Sequence, residues 1–288
     1  MKQEITGHTA FYCLLGSPVA HSISPQMYNL SFQRAGIDAR YLAFDVKESE
    51  LKTAVDGLRV MGVKGFNLTM PHKRTMVPLC DRLSPAAEIC GAVNTVINEN
   101  GILTGHTTDG IGYILAARDA GYEVRGKKMV QLGAGGAGAS ALVQAALDGA
   151  ARIDLFNAHP RPELLRIVGE LGRRTRCDVK FHLLSETEAL RAALQEADLL
   201  VNTTPVGMAP QYLGQSLIQD PSWLRPDLIV SDMIYEPRET RLLQMAKERG
   251  CRTFNGLYML LFQGTAAFKI WTGRQMPVEE LKKRYFDK

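Results

Sequence analysis

The stretch KKMVQLGAGGAGASA, residues Lys127–Ala141, decides the fold. Its short apolar run, Met129–Leu132, stops at a glycine cluster and gives way to small residues that suit a helix. Gly133, Gly135 and Gly138 fill the frame G-x-G-x-x-G. The first glycine permits a tight turn out of a strand, and the second lets the backbone approach a pyrophosphate. The third lets the helix lie close on the sheet, while the helix N-terminus offers N–H groups to phosphate. A plain glycine turn is the alternative reading. The strand before the cluster and the helix after it favour a dinucleotide site, with Gly133, Ala134, Gly135, Gly136 and Ala137 forming its turn.

About 130 residues precede this motif, enough for a separate domain. The cofactor unit therefore sits in mid-chain, and what comes first is expected to hold the substrate. Downstream, strands are expected at Met129–Leu132, Arg152–Phe156, Val179–His182, Leu199–Asn202, Leu228–Asp232 and Arg252–Asn255, with helices between them. Near Asn255 the pattern changes: Met259–Ile270 reads as an apolar helix and 275–288 as an amphipathic, charged tail. These last helices have no sheet of their own and are expected to return to the first domain. The expected division is 1–108, a substrate-binding α/β domain; 109–255, a Rossmann-type doubly wound domain; and 256–288, C-terminal helices on the first domain. Two crossings, near 109 and near 256, imply a hinge with the cleft between the domains.

The 288-residue chain is 45% hydrophobic and 22% charged, with a net charge of +4 spread among acids. That is an ordinary globular composition without the basic stripe of a nucleic-acid footprint. The longest uncharged stretches are broken by Gly, Pro or polar residues well before the roughly 18 apolar residues needed to span a membrane, and the N-terminus, with Glu4, reads poorly as a signal peptide. Five scattered cysteines and six isolated histidines show no disulfide framework and no metal spacing. A reduced, cytoplasmic, metal-free protein is expected, a monomer or a homodimer, whose partner is a small molecule rather than nucleic acid or membrane.

Before the glycine motif, strands are expected at Phe11–Leu15, Tyr41–Val46 and Gly65–Met70, with helices from Ser24 to about Ala35, over Glu48–Met61 and over 85–92. Ala92–Asn98 and Gly101–Gly105 read as a hairpin, and a largely parallel sheet is expected. Four polar clusters stand at strand ends or turns, where α/β folds place ligand sites. In GSPVAHSISP (16–25), Ser22 and Ser24 offer a carboxylate cradle, or Ser24 is simply a helix N-cap. In NLTMPHK (67–73), Asn67 and Thr69 share one strand face and Lys73 follows in the turn, where a lysine is commonly just solvated. Asn94 and Thr95 in GAVNT (91–95) read equally as turn residues. Asp109, in TTDG (107–110), reads by itself as the cap of the helix it opens.

Taken together and in order, these clusters resemble the shikimate dehydrogenase family, which includes the quinate/shikimate dehydrogenases. The resemblance continues through GAGGA at 133–137, N-x-T-P-x-G-M at 202–208, D-x-x-Y-x-P at 232–237 and G-x-x-M-L-x-x-Q at 256–263. It implies reversible hydride transfer between a nicotinamide and a ring carbon bearing a hydroxyl or ketone, on shikimate or quinate. By that resemblance Lys73 and Asp109 are the catalytic pair. Ser22 and Ser24 bind the substrate carboxylate with Tyr235 close by, and Thr69, Asn94 and Gln263 bond the ring hydroxyls. The cofactor set extends over Asn157, His159, Arg161, Thr203, Pro205, Met208 and Gly256. The chemistry agrees with the residue types, since a lysine ammonium beside the reacting oxygen both stabilises alkoxide charge and supplies a proton.

Two departures matter. Thr107 stands where the family usually has asparagine, which leaves open a differently substituted ring acid as substrate. The Asn-Arg-Thr that NADP-using members commonly carry after the second strand is here Asn157, Ala158, His159, Pro160 and Arg161. The guanidinium clamp for a 2′-phosphate is displaced, and Asp154 falls too early to hold a ribose. The cofactor is NAD or NADP, with the balance toward NAD. A dinucleotide-binding sensor without catalysis is the rival class, and the presence of both Lys73 and Asp109 speaks against it.

Overall fold

The computed structural model describes residues 4–287. The first three residues of the N-terminal stretch and Lys288 of the charged tail lie outside them. In chain order the elements are β1 (Ala10–Gly16), α1 (Ser24–Ala35), β2 (Ala39–Asp45), α2 (Leu51–Val60), β3 (Gly65–Leu68), β4 (Arg82–Leu83), α3 (Pro85–Cys90), β5 (Thr95–Glu99) and β6 (Ile102–His106). Then follow α4 (Asp109–Asp119), β7 (Lys128–Leu132), α5 (Gly136–Leu147), β8 (Arg152–Asn157), α6 (Pro162–Arg174), β9 (Asp178–Leu183), α7 (Thr187–Glu196) and β10 (Leu199–Asn202). The chain ends with β11 (Ile229–Asp232), α8 (Arg241–Glu248), β12 (Arg252–Phe254), α9 (Leu257–Thr272) and α10 (Val278–Leu281).

Two compact units result: residues 1–108 with 263–288, and residues 109–262. The division falls inside α9, seven residues later than the change of pattern at Asn255. The sequence marks where the helix begins, whereas the division depends on which neighbours each half of the helix packs against.

The first unit has a six-stranded sheet in the order β2-β1-β3-β5-β6-β4. Strands β2, β1 and β3 run parallel, while β3–β5 and β5–β6 are antiparallel. The sheet is thus mixed rather than largely parallel, because a tight hairpin reverses the chain at Asn100 and Gly101, both with positive φ. One face packs Leu51, Val55 and Leu58 of α2 against Cys13, Leu15 and Phe66. The other carries an aromatic cluster in which Trp271 meets Tyr12, Tyr28 and Tyr41 at centroid distances of 5.0, 5.2 and 6.2 Å. The Trp271 indole also donates to Val96 O at 2.9 Å. Residue 65 must be glycine for this ring to lie on β3, since a Cβ there would stand 2.4 Å from Trp271 Nε1.

The second unit is a doubly wound sheet in the order β12-β11-β10-β7-β8-β9, parallel throughout. The order reverses between β7 and β10, the switch point at which such sheets bind ligands beyond their carboxyl ends. The strands read as near-continuous apolar runs because both faces are covered. Helix α4 lies close on α5: a Cβ at Gly110 would sit 2.1 Å from Ser140 O.

Candidate active site

In the second unit the glycine turn is built at the switch point. Gly133 leaves β7 with φ +87 and donates to Phe156 O at 2.7 Å, and Gly135 is the N-cap of α5. Two side chains brace the turn. Thr203 Oγ1 lies 3.0 Å from Leu132 O and 2.8 Å from Gly133 O. Gln131, fully buried in β7, reaches Gly133 O and Gly138 O through Nε2 at 2.9 and 2.8 Å. Gln131 carries no motif, and a polar residue inside an apolar strand is the one signal that marks it in the sequence.

The glycines of the frame do not serve one purpose. At 133 and 138 this chain itself excludes a side chain, since Cβ atoms would meet Thr204 Cγ2 at 2.6 Å and Thr203 Oγ1 at 2.3 Å. At 135 and 136, both exposed, no protein atom lies within 4 Å of a Cβ. Glycine there leaves open ground in front of the first N–H groups of α5, a cradle suited to a pyrophosphate.

At the end of β8, Asn157 Oδ1 accepts from Ala134 N at 3.2 Å and its Nδ2 donates to His159 O at 2.8 Å. Arg161 is exposed and donates to Ala134 O at 2.5 Å, so its guanidinium leans on the glycine turn. Asp154 lies in mid-strand, buried and paired with Arg152 and His182.

Thr203, Pro205 and Met208 follow β10, and Tyr235 (45% exposed) follows β11. Buried Gly256 packs against the segment after β11; a Cβ there would stand 2.0 Å from Met233 O. Asp109, 8% exposed, is the first residue of α4 and of this unit.

In the first unit, one buried polar chain joins three of the four clusters found in the sequence, those at 67–73, 91–95 and 107–110. Tyr41, stacked on Tyr28 at 4.3 Å, donates to Asn67 Oδ1 at 2.8 Å. Burial pushes the Tyr41 phenol well above its ordinary value and keeps it a donor. Asn67 Nδ2 donates to Asn94 O and Thr95 Oγ1 at 3.1 and 3.0 Å. Asn94 Oδ1 accepts from Thr108 N at 2.7 Å and from Thr95 and Thr108 hydroxyls at 3.2 Å. Its oxygen is thereby saturated.

Ser24 is not an N-cap. The helix already includes it, Ile23 holds the cap position, and Ser22 Oγ accepts from Ser24 N at 3.2 Å. The hydroxyl that braces the helix start is that of Ser22. Thr69, half-buried, packs its methyl on Gly16, where a Cβ would come within 2.2 Å.

Lys73 is half-buried in the turn after Pro71 and anchored through its carbonyl, which accepts from Val93 N at 2.8 Å. Its neighbour His72 is fully buried and bonds Val46 O at 2.7 Å. Gln263 is half-buried on α9. Among the described residues no group of His, Cys, Asp and Glu side chains could hold a metal ion, and no helix is long and apolar enough to cross a membrane.

A glycine turn at the switch point of a doubly wound sheet, in a chain whose other unit carries hydroxyls, amides and a lysine, defines a nicotinamide-dinucleotide oxidoreductase of two units. The profile of the shikimate dehydrogenase substrate-binding domain matches residues 14–96, and that of the shikimate 5′-dehydrogenase C-terminal domain matches residues 256–284. A shikimate dehydrogenase (NADP(+)) of Listeria innocua is 45% identical over 286 residues, 99% of this chain and 98% of the relative. The crystal structure of shikimate 5-dehydrogenase from Listeria monocytogenes in complex with shikimate and NAD is 45% identical, with a TM-score of 0.94 over 99% of both chains. Quinate dehydrogenase from Corynebacterium glutamicum in complex with NAD is 28% identical, with a TM-score of 0.84 over 97% of this chain and 99% of that one. The chain belongs to the shikimate dehydrogenase family.

Proposed function

We propose that this chain interconverts shikimate and 3-dehydroshikimate with a nicotinamide dinucleotide, Lys73 and Asp109 handling the proton. The observation that carries this reading is the buried polar chain from Tyr41 through Asn67 to Asn94, Thr95 and Thr108. It fixes residues of three separate clusters, on separate elements, relative to one another, as the recognition of a polyhydroxylated ring requires. The Ser22 and Ser24 hydroxyls receive the carboxylate, with Tyr235 assisting. Thr69, Asn94 and Gln263 receive the ring hydroxyls. Quinate carries an additional hydroxyl at the carboxylate-bearing carbon, and two serines make a compact cradle that favours shikimate.

A dinucleotide, when bound, accepts or returns the hydride. Gly133, Ala134, Gly135, Gly136 and Ala137 hold its pyrophosphate, and Thr203, Pro205, Met208 and Gly256 line the nicotinamide side. The Lys73 ammonium stabilises negative charge on the reacting oxygen and exchanges its proton with it; Asp109 orients that ammonium and shares the proton.

NAD is the favoured cofactor. Ala158 occupies the place next to Asn157 where a 2′-phosphate clamp would stand, and Arg161 is drawn onto Ala134 O. The similar Listeria monocytogenes enzyme was crystallised with NAD. Five free cysteines suit a reducing, cytoplasmic setting. Initial rates with shikimate and quinate, each paired with NAD and NADP, test the whole reading. Shikimate with NAD is expected to give the highest kcat/KM. A higher value with NADP would overturn the cofactor assignment, and no reduced nicotinamide from any pair would overturn the reaction.

A further inference from the structure

Asp232 ends β11 only 1% exposed. Its Oδ1 accepts from Asn202 Nδ2 at 3.1 Å and from Ile234 N at 3.0 Å, and its Oδ2 from Asn202 Nδ2 at 3.2 Å and Thr240 Oγ1 at 2.8 Å. Two of the three donors, Asn202 and Ile234, belong to segments assigned above to the dinucleotide or substrate. Asn202 also accepts from Thr204 N and Oγ1 at 3.1 and 2.7 Å and donates to Val206 O at 3.0 Å, setting the run that holds Thr203, Pro205 and Met208. Ile234 precedes Tyr235, and its carbonyl accepts from Gly256 N at 3.1 Å. Thr240 caps α8 by accepting from Leu243 N, which leaves its hydroxyl hydrogen for the carboxylate.

Every neighbour is a donor whose direction is set by its other bonds. A proton on either oxygen finds no acceptor and must break one of these links. On the functional reading above, we propose that Asp232 is a positioning residue: ionised, it holds 203–208 and 233–237 in the arrangement that receives the dinucleotide, and a proton on it releases them. Burial pushes the carboxyl up to about 6, against the bonds from Ile234, Thr240 and Asn202 that pull it down. No cation contributes to its shift. The titratable neighbour is Tyr113 of α4, whose hydroxyl bonds Ser231 Oγ at 2.8 Å and whose phenol burial pushes up, so it stays neutral.

The test is the dissociation constant of NAD for the whole protein without substrate, measured calorimetrically from about pH 7.5 to about pH 5. If the protonated form does not bind, affinity falls about tenfold over this range. Asp232→Asn should be flat over the range, whereas an inflection from any other group, His159 included, survives that substitution. Thr240→Val, which removes a bond favouring the ionised form, should move the inflection to higher pH and serves even if Asp232→Asn folds poorly. A wild-type constant unchanged down to pH 5, or an inflection persisting in Asp232→Asn, overturns the role of Asp232. Absence of binding of both NAD and NADP at pH 7.5 would instead remove the functional reading on which it rests.

Discussion

Replacing Gly138 by alanine sets helix propensity against packing, and the structure says which wins. Position 138 is the third residue of α5, where alanine by itself is worth up to about 1 kcal/mol over glycine. The new Cβ would lie 2.3 Å from Thr203 Oγ1 and 2.9 Å from Thr203 Cβ, both under real contact distance. Thr203 cannot simply turn away, because its hydroxyl is tied to Leu132 O and Gly133 O at 3.0 and 2.8 Å. Overpacking of this kind costs about 1–3 kcal/mol, so Gly138→Ala should destabilise despite its better propensity. With Thr203→Ala already present the hydroxyl collision is gone and only the Cβ contact at 2.9 Å remains, so the same change should cost less. Propensity cancels in the double-mutant cycle, leaving a coupling of about 1–3 kcal/mol. Urea unfolding of the four proteins measures it. Additivity within about 0.5 kcal/mol would refute the claim that Thr203 is what demands a glycine at 138.

Gly135→Ala should do the reverse, leaving the melting temperature unchanged or raised while weakening NAD binding at least tenfold; unchanged binding would mean that no pyrophosphate approaches this turn. Lys73→Ala should lower turnover by about 10²–10⁴-fold with the NAD dissociation constant unaltered, and a variant with wild-type turnover would remove Lys73 from proton handling. Trp271→Phe leaves Val96 O without its indole donor and should cost about 1–3 kcal/mol, read as a lower unfolding midpoint. Asp232 also makes stability depend on pH. Its carboxyl value rises from 3.8 unfolded to about 6 folded, so the native state holds the proton more tightly. Its contribution is present at low pH and is lost as pH rises from about 4 to about 6, by about 3 kcal/mol. The difference in urea midpoint between wild type and Asp232→Asn, followed across that window, should carry this slope.

Much of the architecture was legible because it follows from local patterns. The apolar runs of the second unit match its strands to within a residue or two, since strands covered on both faces read as unbroken hydrophobic stretches. Helix α1 is marked by Pro25 at its start and by Gly36, with φ +64, at its end. The hairpin was equally visible, but its consequence for strand direction was not carried through to the sheet. The helix begins at Ser24 as its pattern suggests, but the cap falls on Ile23 rather than on Ser24. Ser22 and Ser24 both have N-cap chemistry, and only the backbone shows that Ser22 makes the bond.

The side chains that organise the site were less legible, for a physical reason. Tyr41 reads as an ordinary strand tyrosine, and its role follows from bonds across 26 residues to Asn67. Gln131 and Asp232 are polar residues ending or interrupting apolar strands, a pattern that marks a buried polar group without saying what it must satisfy. Burying such a group is unfavourable unless its partners are supplied, and those partners come from loops that the sequence does not place in space. The glycine motif shows the same limit at single-residue scale. One letter stands at 133, 135 and 138, yet Thr204 and Thr203 enforce it at the first and last, and no protein atom enforces it at the middle. Where the chain itself gives no reason for a glycine, the reason has to come from something the chain receives, and that makes position 135 more informative about a ligand than either of its partners in the frame.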